Sequence, residues 1–211
     1  MRRLVLLRHG QTRYNADARM QGQLDTDLSD LGRAQAEAAG KVMGEMSPIA
    51  IVSSDLRRAL DTATAVGDRM GMSVHVDERL RETCLGDWQG MTHTEVDAQF
   101  PGARATWRGD ATWAPPGGES RVDVARRSRP VVDELVAKLD AWETDPVLLV
   151  AHGGLIAALT ATLLDLPVDK WPILGGLGNA SWVRLSAYGT SAQHWRLDVW
   201  NASASVAHDV L

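Results

Sequence analysis

A chain of 211 residues, 45% hydrophobic and 23% charged, can bury the core of one α/β domain, which excludes a disordered segment. Its net charge of −5 argues against a general nucleic-acid or anionic-membrane binder, so an anionic ligand would need a local basic pocket. Cys84 is the only cysteine, no stretch approaches the ~20 apolar residues of a membrane span, and the apolar run after Arg3 is too short for a signal-peptide core; the expectation is a cytoplasmic protein without disulfides.

The first element is an apolar run, Leu4-Val5-Leu6-Leu7, that ends in Arg8-His9-Gly10-Gln11-Thr12. This pattern predicts a buried strand delivering side chains to its carboxyl end, the edge where open α/β sheets bind ligands. Arg8 offers a fork of N–H donors for a phosphate or carboxylate, and His9 can act as nucleophile, base or acid. Were the pair isolated, a solvated strand cap would be the better reading. Residues 16–30 read as a loop; Asn15 just before it and Gln21 within it are candidates to hydrogen-bond a phosphate or sugar.

A helix follows, with Ser29 as N-cap, Leu31, Ala34, Ala38, Val42 and Met46 as its apolar face, and Pro48 beyond its end. Residues 49–52 predict a second buried strand. It runs into Ser53-Ser54-Asp55-Leu56-Arg57-Arg58 and a helix over 55–70, stopped by Gly71. Two arginines in a first turn oppose the helix dipole, so a bound anion there would explain at least Arg58; solvation is an adequate reading for Arg57. A short strand over 73–76 precedes Glu82, whose carboxyl is a candidate general acid with its pKa raised by partial burial, or else a salt-bridge partner of an arginine.

Residues 91–118 form the most irregular region, rich in Pro and Gly, with Trp107 and Trp113 as packing residues. Residues 119–142 are predicted helical, with a disturbance at Pro130. A fourth buried strand over 147–150 ends in Ala151-His152-Gly153-Gly154, repeating the opening pattern of apolar run, His and Gly. A mostly apolar helix over 155–166 follows it. Residues 175–181 form a glycine-rich loop able to bring backbone N–H groups to a ligand. Segments 182–185 and 194–200 predict an edge hairpin, and 201–211 a small polar tail.

Four strands thus lead to Arg8 and His9, Arg58, Glu82 and His152, a coherent kit for phosphoryl transfer. The motifs Arg8-His9-Gly10-Gln11-Thr12, Ser53-Asp55-Arg58-Ala59-Thr62, Leu80-Arg81-Glu82 and Ala151-His152-Gly153-Gly154, in this order, resemble the histidine phosphatase superfamily, the phosphoglycerate mutase-like enzymes. The resemblance implies one domain over 1–211 with a loop-rich insertion at 91–118. The implied fold is a three-layer α/β/α sandwich on a mostly parallel mixed sheet.

It further implies His9 as a nucleophile forming phosphohistidine, its other ring nitrogen held by a backbone carbonyl. Arg8, Arg58 and His152 are implied to hold the phosphoryl oxygens, and Glu82 to protonate the leaving alkoxide. Asn15, Gln21 and the backbone at Gly153 are implied as secondary phosphate contacts. No metal or cofactor is implied, and the expected partners are a phosphorylated small molecule and a second copy of the chain in a homodimer. Loop segments 20–26, 85–90, 117–124 and 195–202 resemble those of phosphatases in this family, and that resemblance implies hydrolysis of glucosyl-3-phosphoglycerate, with a mutase or broad-specificity phosphatase as alternatives. A binding module without turnover is disfavoured by the intact set of His9, Glu82 and His152. Gln21, Gln23 and Asn179 are candidates for contacting the rest of the substrate.

Overall fold

The computed structural model describes residues 1–139, 142–143, 145–189 and 194–204. Apolar runs without alternation form the centre of the sheet, because strands covered on both faces need apolar side chains on both. They are β1 (Arg2–Arg8), β2 (Ala50–Ser53) and β4 (Pro146–Ala151). The edges are β3 (Val74–Val76) on one side and the hairpin β5 (Trp182–Ala187) with β6 (Trp195–Ala202) on the other. The order is β3-β2-β4-β1-β5-β6, with β1 to β4 mutually parallel and β5 antiparallel to β1. The expected mostly parallel mixed sheet is therefore present.

Alternation along β1 assigns the two faces. Leu4 and Leu6 join a core built with α6 (Arg121–Lys138) and α7 (Gly153–Leu163). Val5 and Leu7 join one built with α2 (Asp30–Met46) and α3 (Arg57–Met70). Helices on both faces complete the α/β/α sandwich. Ahead of them lies α1 (Arg13–Ala16), a single turn capped by Thr12. Among the described residues no helix is long and apolar enough to cross a membrane.

Several elements differ from expectation. In α2 the buried face is Gly32, Ala36, Ala39, Gly40 and Met43, about one position away from the predicted stripe, and Leu31 is 53% exposed. Close approach decides the face: a Cβ on Gly32 would collide with the Gln11 carbonyl, and one on Gly10 with the Gly32 carbonyl. Small residues win over large apolar ones wherever two backbones must touch. β3 is an edge strand with Val76 half-exposed rather than a buried strand, and the 3₁₀ turn Glu78–Leu80 separates it from Glu82.

Residues 91–118 contain α4 (His93–Gln99) and α5 (Ala103–Gly109). Trp88, Val96, Phe100, Trp107 and Trp113 form a small apolar cluster there, with Trp88 at its centre. Pro130 lies inside α6 without ending it; the helix stops at Lys138, and residues 140–141 of the predicted helix lie outside the described residues. Asn201 and Ala202 belong to β6 rather than to a tail, whose remainder, 205–211, lies outside the described residues.

Candidate active site

The register of β1 against β4 pairs Arg8 with Ala151, so the next residue of each strand, His9 and His152, leaves the sheet side by side. Their ring centroids are 5.2 Å apart. β2 pairs Ser53 with Val150 and places Ser54 at the same edge. Arg58 follows in the first turn of α3, and Glu82 reaches the edge from the segment after β3. A pocket of about 170 Å³ collects Arg8, His9, Asn15, Gln21, Arg58 and Glu82 in its lining.

His9 is buried, with Nδ1 2.6 Å from its neighbour's carbonyl, Gly10 O. A carbonyl only accepts, so Nδ1 carries the proton and Nε2 keeps its lone pair. Burial first, then Arg58 and Arg8, hold the His9 imidazole well below its ordinary pKa, in the neutral form a nucleophile requires. His152 is fully buried, and burial followed by Arg58, His9 and Arg8 keeps it neutral in the same way. Its Nε2 lies 2.9 Å from Ser54 Oγ, and its Nδ1 is buried without a partner. Ser54 Oγ accepts from the Leu56 N–H at 3.3 Å. When the Ser54 hydroxyl gives its own hydrogen to Nε2, Nδ1–H is the donor left over.

Arg58 is 1% exposed, and burial brings its pKa down to about 10, so it is cationic at neutral pH. Two of its N–H groups donate to Gly22 O and Leu24 O at 2.7 Å, and its Nε has no partner. Arg8 donates to Leu177 O and also has a buried, unpartnered Nε. The glycine-rich loop thus supplies Arg8 with a carbonyl acceptor, while its Gly178 N–H donates to Asn201 rather than to the pocket. Arg57 is the solvated arginine of the pair. It binds Asp25 at 3.1 Å and Asp27 at 2.9 Å, and Asp25 also accepts the Arg57 N–H at 2.8 Å. The anion at the start of α3 is thus a side chain of the protein.

Glu82 sits at the N-terminus of α7, where the helix dipole favours negative charge. Oε1 accepts from the N–H groups of Thr83 and Leu155 at 2.8 and 3.0 Å, and Oε2 from that of Gly154 at 3.1 Å. The carboxylate is half-buried and held by backbone donors, instead of resting in an apolar pocket or pairing with an arginine. Oε2 retains the lone pair on which a proton can be carried.

Thr12 organises the secondary polar residues. Asn15 Oδ1 accepts from the Thr12 N–H and hydroxyl, both at 3.1 Å, and from Asn179 Nδ2 at 3.2 Å. Gln21 Oε1 takes the hydroxyls of Thr12 at 2.9 Å and Thr26 at 2.7 Å. With both carbonyl ends engaged, the two NH₂ ends are the donors left for the pocket. Gly153 lies against the Arg8 guanidinium. Gln23 turns away from this pocket's lining to hold the Glu82 carbonyl at 3.0 Å.

Sequence reasoning missed the brace behind Glu82. Arg127 pairs with Glu119 at 2.8 Å and donates to the carbonyls of Arg79 and Glu82, while Glu119 accepts the Cys84 N–H. The only local signal was a charge on each residue of a helical stretch. Among the described residues no three His, Cys, Asp or Glu side chains group as a metal site.

The model of the histidine phosphatase superfamily, branch 1, matches residues 4–203. The chain is 67% identical to a glucosyl-3-phosphoglycerate phosphatase of Mycolicibacterium vanbaalenii, across 100% of this chain and 99% of that one. To the glucosyl-3-phosphoglycerate phosphatase of Mycobacterium tuberculosis it is 65% identical, with the same shares covered. A solved structure of mycobacterial glucosyl-3-phosphoglycerate phosphatase in complex with VO3 matches at a TM-score of 0.93 and 67% identity, over 96% of this chain and 100% of that one. With two histidines, two arginines and a carboxylate brought to one sheet edge, and the match running over nearly its whole length, the chain belongs to the histidine phosphatase superfamily, branch 1.

Proposed function

We propose that this protein is a phosphomonoesterase that hydrolyses glucosyl-3-phosphoglycerate to glucosylglycerate and phosphate through a phosphohistidine on His9. The observation that carries the chemistry is the His9 Nδ1–Gly10 O contact of 2.6 Å, which leaves a neutral ring with Nε2 as the free nucleophile beside the half-buried Arg8 and the buried Arg58. The substrate comes from the relatives, which are glucosyl-3-phosphoglycerate phosphatases at 65–67% identity over the full chain.

In this mechanism the phosphoryl oxygens are bound by the unpartnered Nε–H groups of Arg8 and Arg58 and by Nδ1–H of His152. The side-chain NH₂ groups of Asn15 and Gln21 and the Gly153 backbone add secondary contacts. His9 Nε2 attacks phosphorus as the bond to the ester oxygen breaks. A proton on Glu82 Oε2 passes to that oxygen, releasing the alcohol. Water then gives its proton to the Glu82 carboxylate and attacks the phosphohistidine; the N–P bond breaks, its electron pair returns to Nε2, and phosphate departs. Phosphoryl transfer asks mainly for in-line positioning and charge stabilisation, which two guanidinium groups supply without a metal. The homodimer implied by the resemblance and the cytoplasmic setting expected from the single cysteine are part of the same proposal, and light scattering reads the former.

The test is phosphate release from glucosyl-3-phosphoglycerate, mannosyl-3-phosphoglycerate and 3-phosphoglycerate, with wild type and His9→Ala. The glucosylated ester is expected to have the highest kcat/KM, and His9→Ala to lose both turnover and acid-labile phosphoryl labelling. Equal values across the panel would refute a dedicated enzyme. Isomerisation of 3-phosphoglycerate without phosphate release would indicate a mutase, and labelling that survives in His9→Ala would remove the nucleophile.

A further inference from the structure

The phosphoryl pocket shares Arg8, Glu82, Thr83, Trp107 and Gly154 with a larger cavity of about 370 Å³. A monoester with its phosphorus at His9 would extend its alcohol half into this space. Arg121, the first residue of α6, lines the larger cavity and not the smaller one. Its guanidinium lies 5.5 Å from the centroid of the Trp107 ring, and its Nη1 donates to the Arg108 carbonyl at 3.2 Å.

Arg57, Arg79, Arg81, Arg104, Arg127 and Arg129 are each matched to a carboxylate. Among the described residues Arg121 has no such partner, although it is half-buried and desolvation lowers its pKa. In both respects it resembles Arg8 and Arg58, the two cations assigned to the phosphoryl group. The carboxylate lining the larger cavity is Glu82, already held by three backbone N–H groups. A planar cation placed over an indole, with N–H groups to spare and no carboxylate paired to it, matches a carboxylate bidentately. In the proposed mechanism the phosphate occupies the neighbouring pocket, so this anion would be a second group of the substrate.

We propose that Arg121 is a specificity-determining residue that binds a carboxylate on the alcohol half of the substrate, with Trp107 as the platform that orients its guanidinium. The inference rests on the phosphomonoesterase reading and deepens it. The enzyme would select phosphoesters of hydroxy acids over those of neutral polyols. In glucosyl-3-phosphoglycerate the group read by Arg121 would be the glycerate carboxylate.

The test compares 3-phosphoglycerate with glycerol 3-phosphate, in which a hydroxymethyl group replaces the carboxylate. Wild type is expected to favour the acid by about 30- to 100-fold in kcat/KM, the range of a desolvated charge-assisted pair. In Arg121→Gln this ratio should collapse to within about threefold, mainly through a higher KM for the acid. Arg121→Lys, which keeps the charge but loses the fork, should retain part of it. An unchanged ratio in Arg121→Gln overturns the proposal, as does the absence of a wild-type preference or an equal loss on both esters, the mark of a structural role. Should Arg121→Gln fail to fold by circular dichroism, Arg121→Lys decides: a ratio equal to wild type refutes the assignment. A wild type that hydrolyses glucosyl-3-phosphoglycerate no better than 3-phosphoglycerate would remove the proposed substrate, while the carboxylate ratio would still judge Arg121.

Discussion

His152 meets the Ser54 hydroxyl at Nε2, 2.9 Å away. A neutral imidazole has one donor and one acceptor; with the Ser54 hydroxyl donating to Nε2, the donor is Nδ1–H, on the side without a protein partner. Gly10 O does the converse for His9, occupying Nδ1 and leaving Nε2 free to attack. The two rings therefore take different roles from the same chemistry. Glu82 is the third part, and its loss should depend on the leaving group. Glu82→Gln is expected to lower kcat on an alkyl phosphate by about 10²–10⁴-fold. On p-nitrophenyl phosphate, whose phenolate leaves without a proton, the loss should be far smaller. Similar losses on both esters, measured by phosphate release, would contradict the acid role. Arg8, His9, Arg58, Glu82 and His152 were legible in the sequence because each belongs to a short motif of strand end, turn and reactive residue. Ser54, Thr12 and Arg127 were not legible as partners: Ser54 and His152 are 98 residues apart, and a hydrogen bond over that separation leaves no local signature.

α7 does more than pack. Its first N–H groups hold Glu82, and its Gly154 is there because a Cβ would lie 2.6 Å from Glu82 Oε1 and 2.8 Å from Thr83 Oγ1. Alanine is the better helix former by about 1 kcal/mol, so propensity favours Gly154→Ala while the contact with Glu82 opposes it. The expected outcome is at least about a tenfold fall in kcat, since a positioned acid contributes ~10²–10⁴-fold and is displaced here, with a melting temperature that changes little. Full activity in this variant would mean that Glu82 does not need the observed position. α2 teaches the opposite lesson about reading helices. Its period was legible, but its face was not, because Gly10 and Gly32 bring the first loop and the helix backbone into contact. In α3 the apparent conflict between two cations and the dipole is resolved by Asp25, which arrives from a loop that pattern reading could assign no partner.

The sheet turns separate motifs into one site, and it does so by burying two neutral histidines. An unfolded His titrates near 6.5, whereas His9 and His152 are held well below that value. Below pH 6.5 the unfolded chain binds protons that the folded chain does not, so folding stability is present above pH 6.5 and is lost as the pH falls. Each histidine can contribute a slope of up to about 1.4 kcal/mol per pH unit in that window. Thermal unfolding in phosphate-free buffer should thus show a falling midpoint from pH 7 to pH 5, with a shallower fall in His152→Gln. Identical slopes in the two proteins would mean that His152 is not buried neutral. The element types, the apolar runs and the choice of candidate site residues follow from the chain alone, because burial patterns, helical periods and glycine turns are properties of neighbours in sequence. The convergence of His9 with His152, the hydrogen bonds that orient both rings, the backbone clamp on Glu82 and the placement of Arg121 without a carboxylate partner arise from folding. Each depends on register and close packing between segments tens to more than a hundred residues apart, where geometry and desolvation rather than local propensity set the energy.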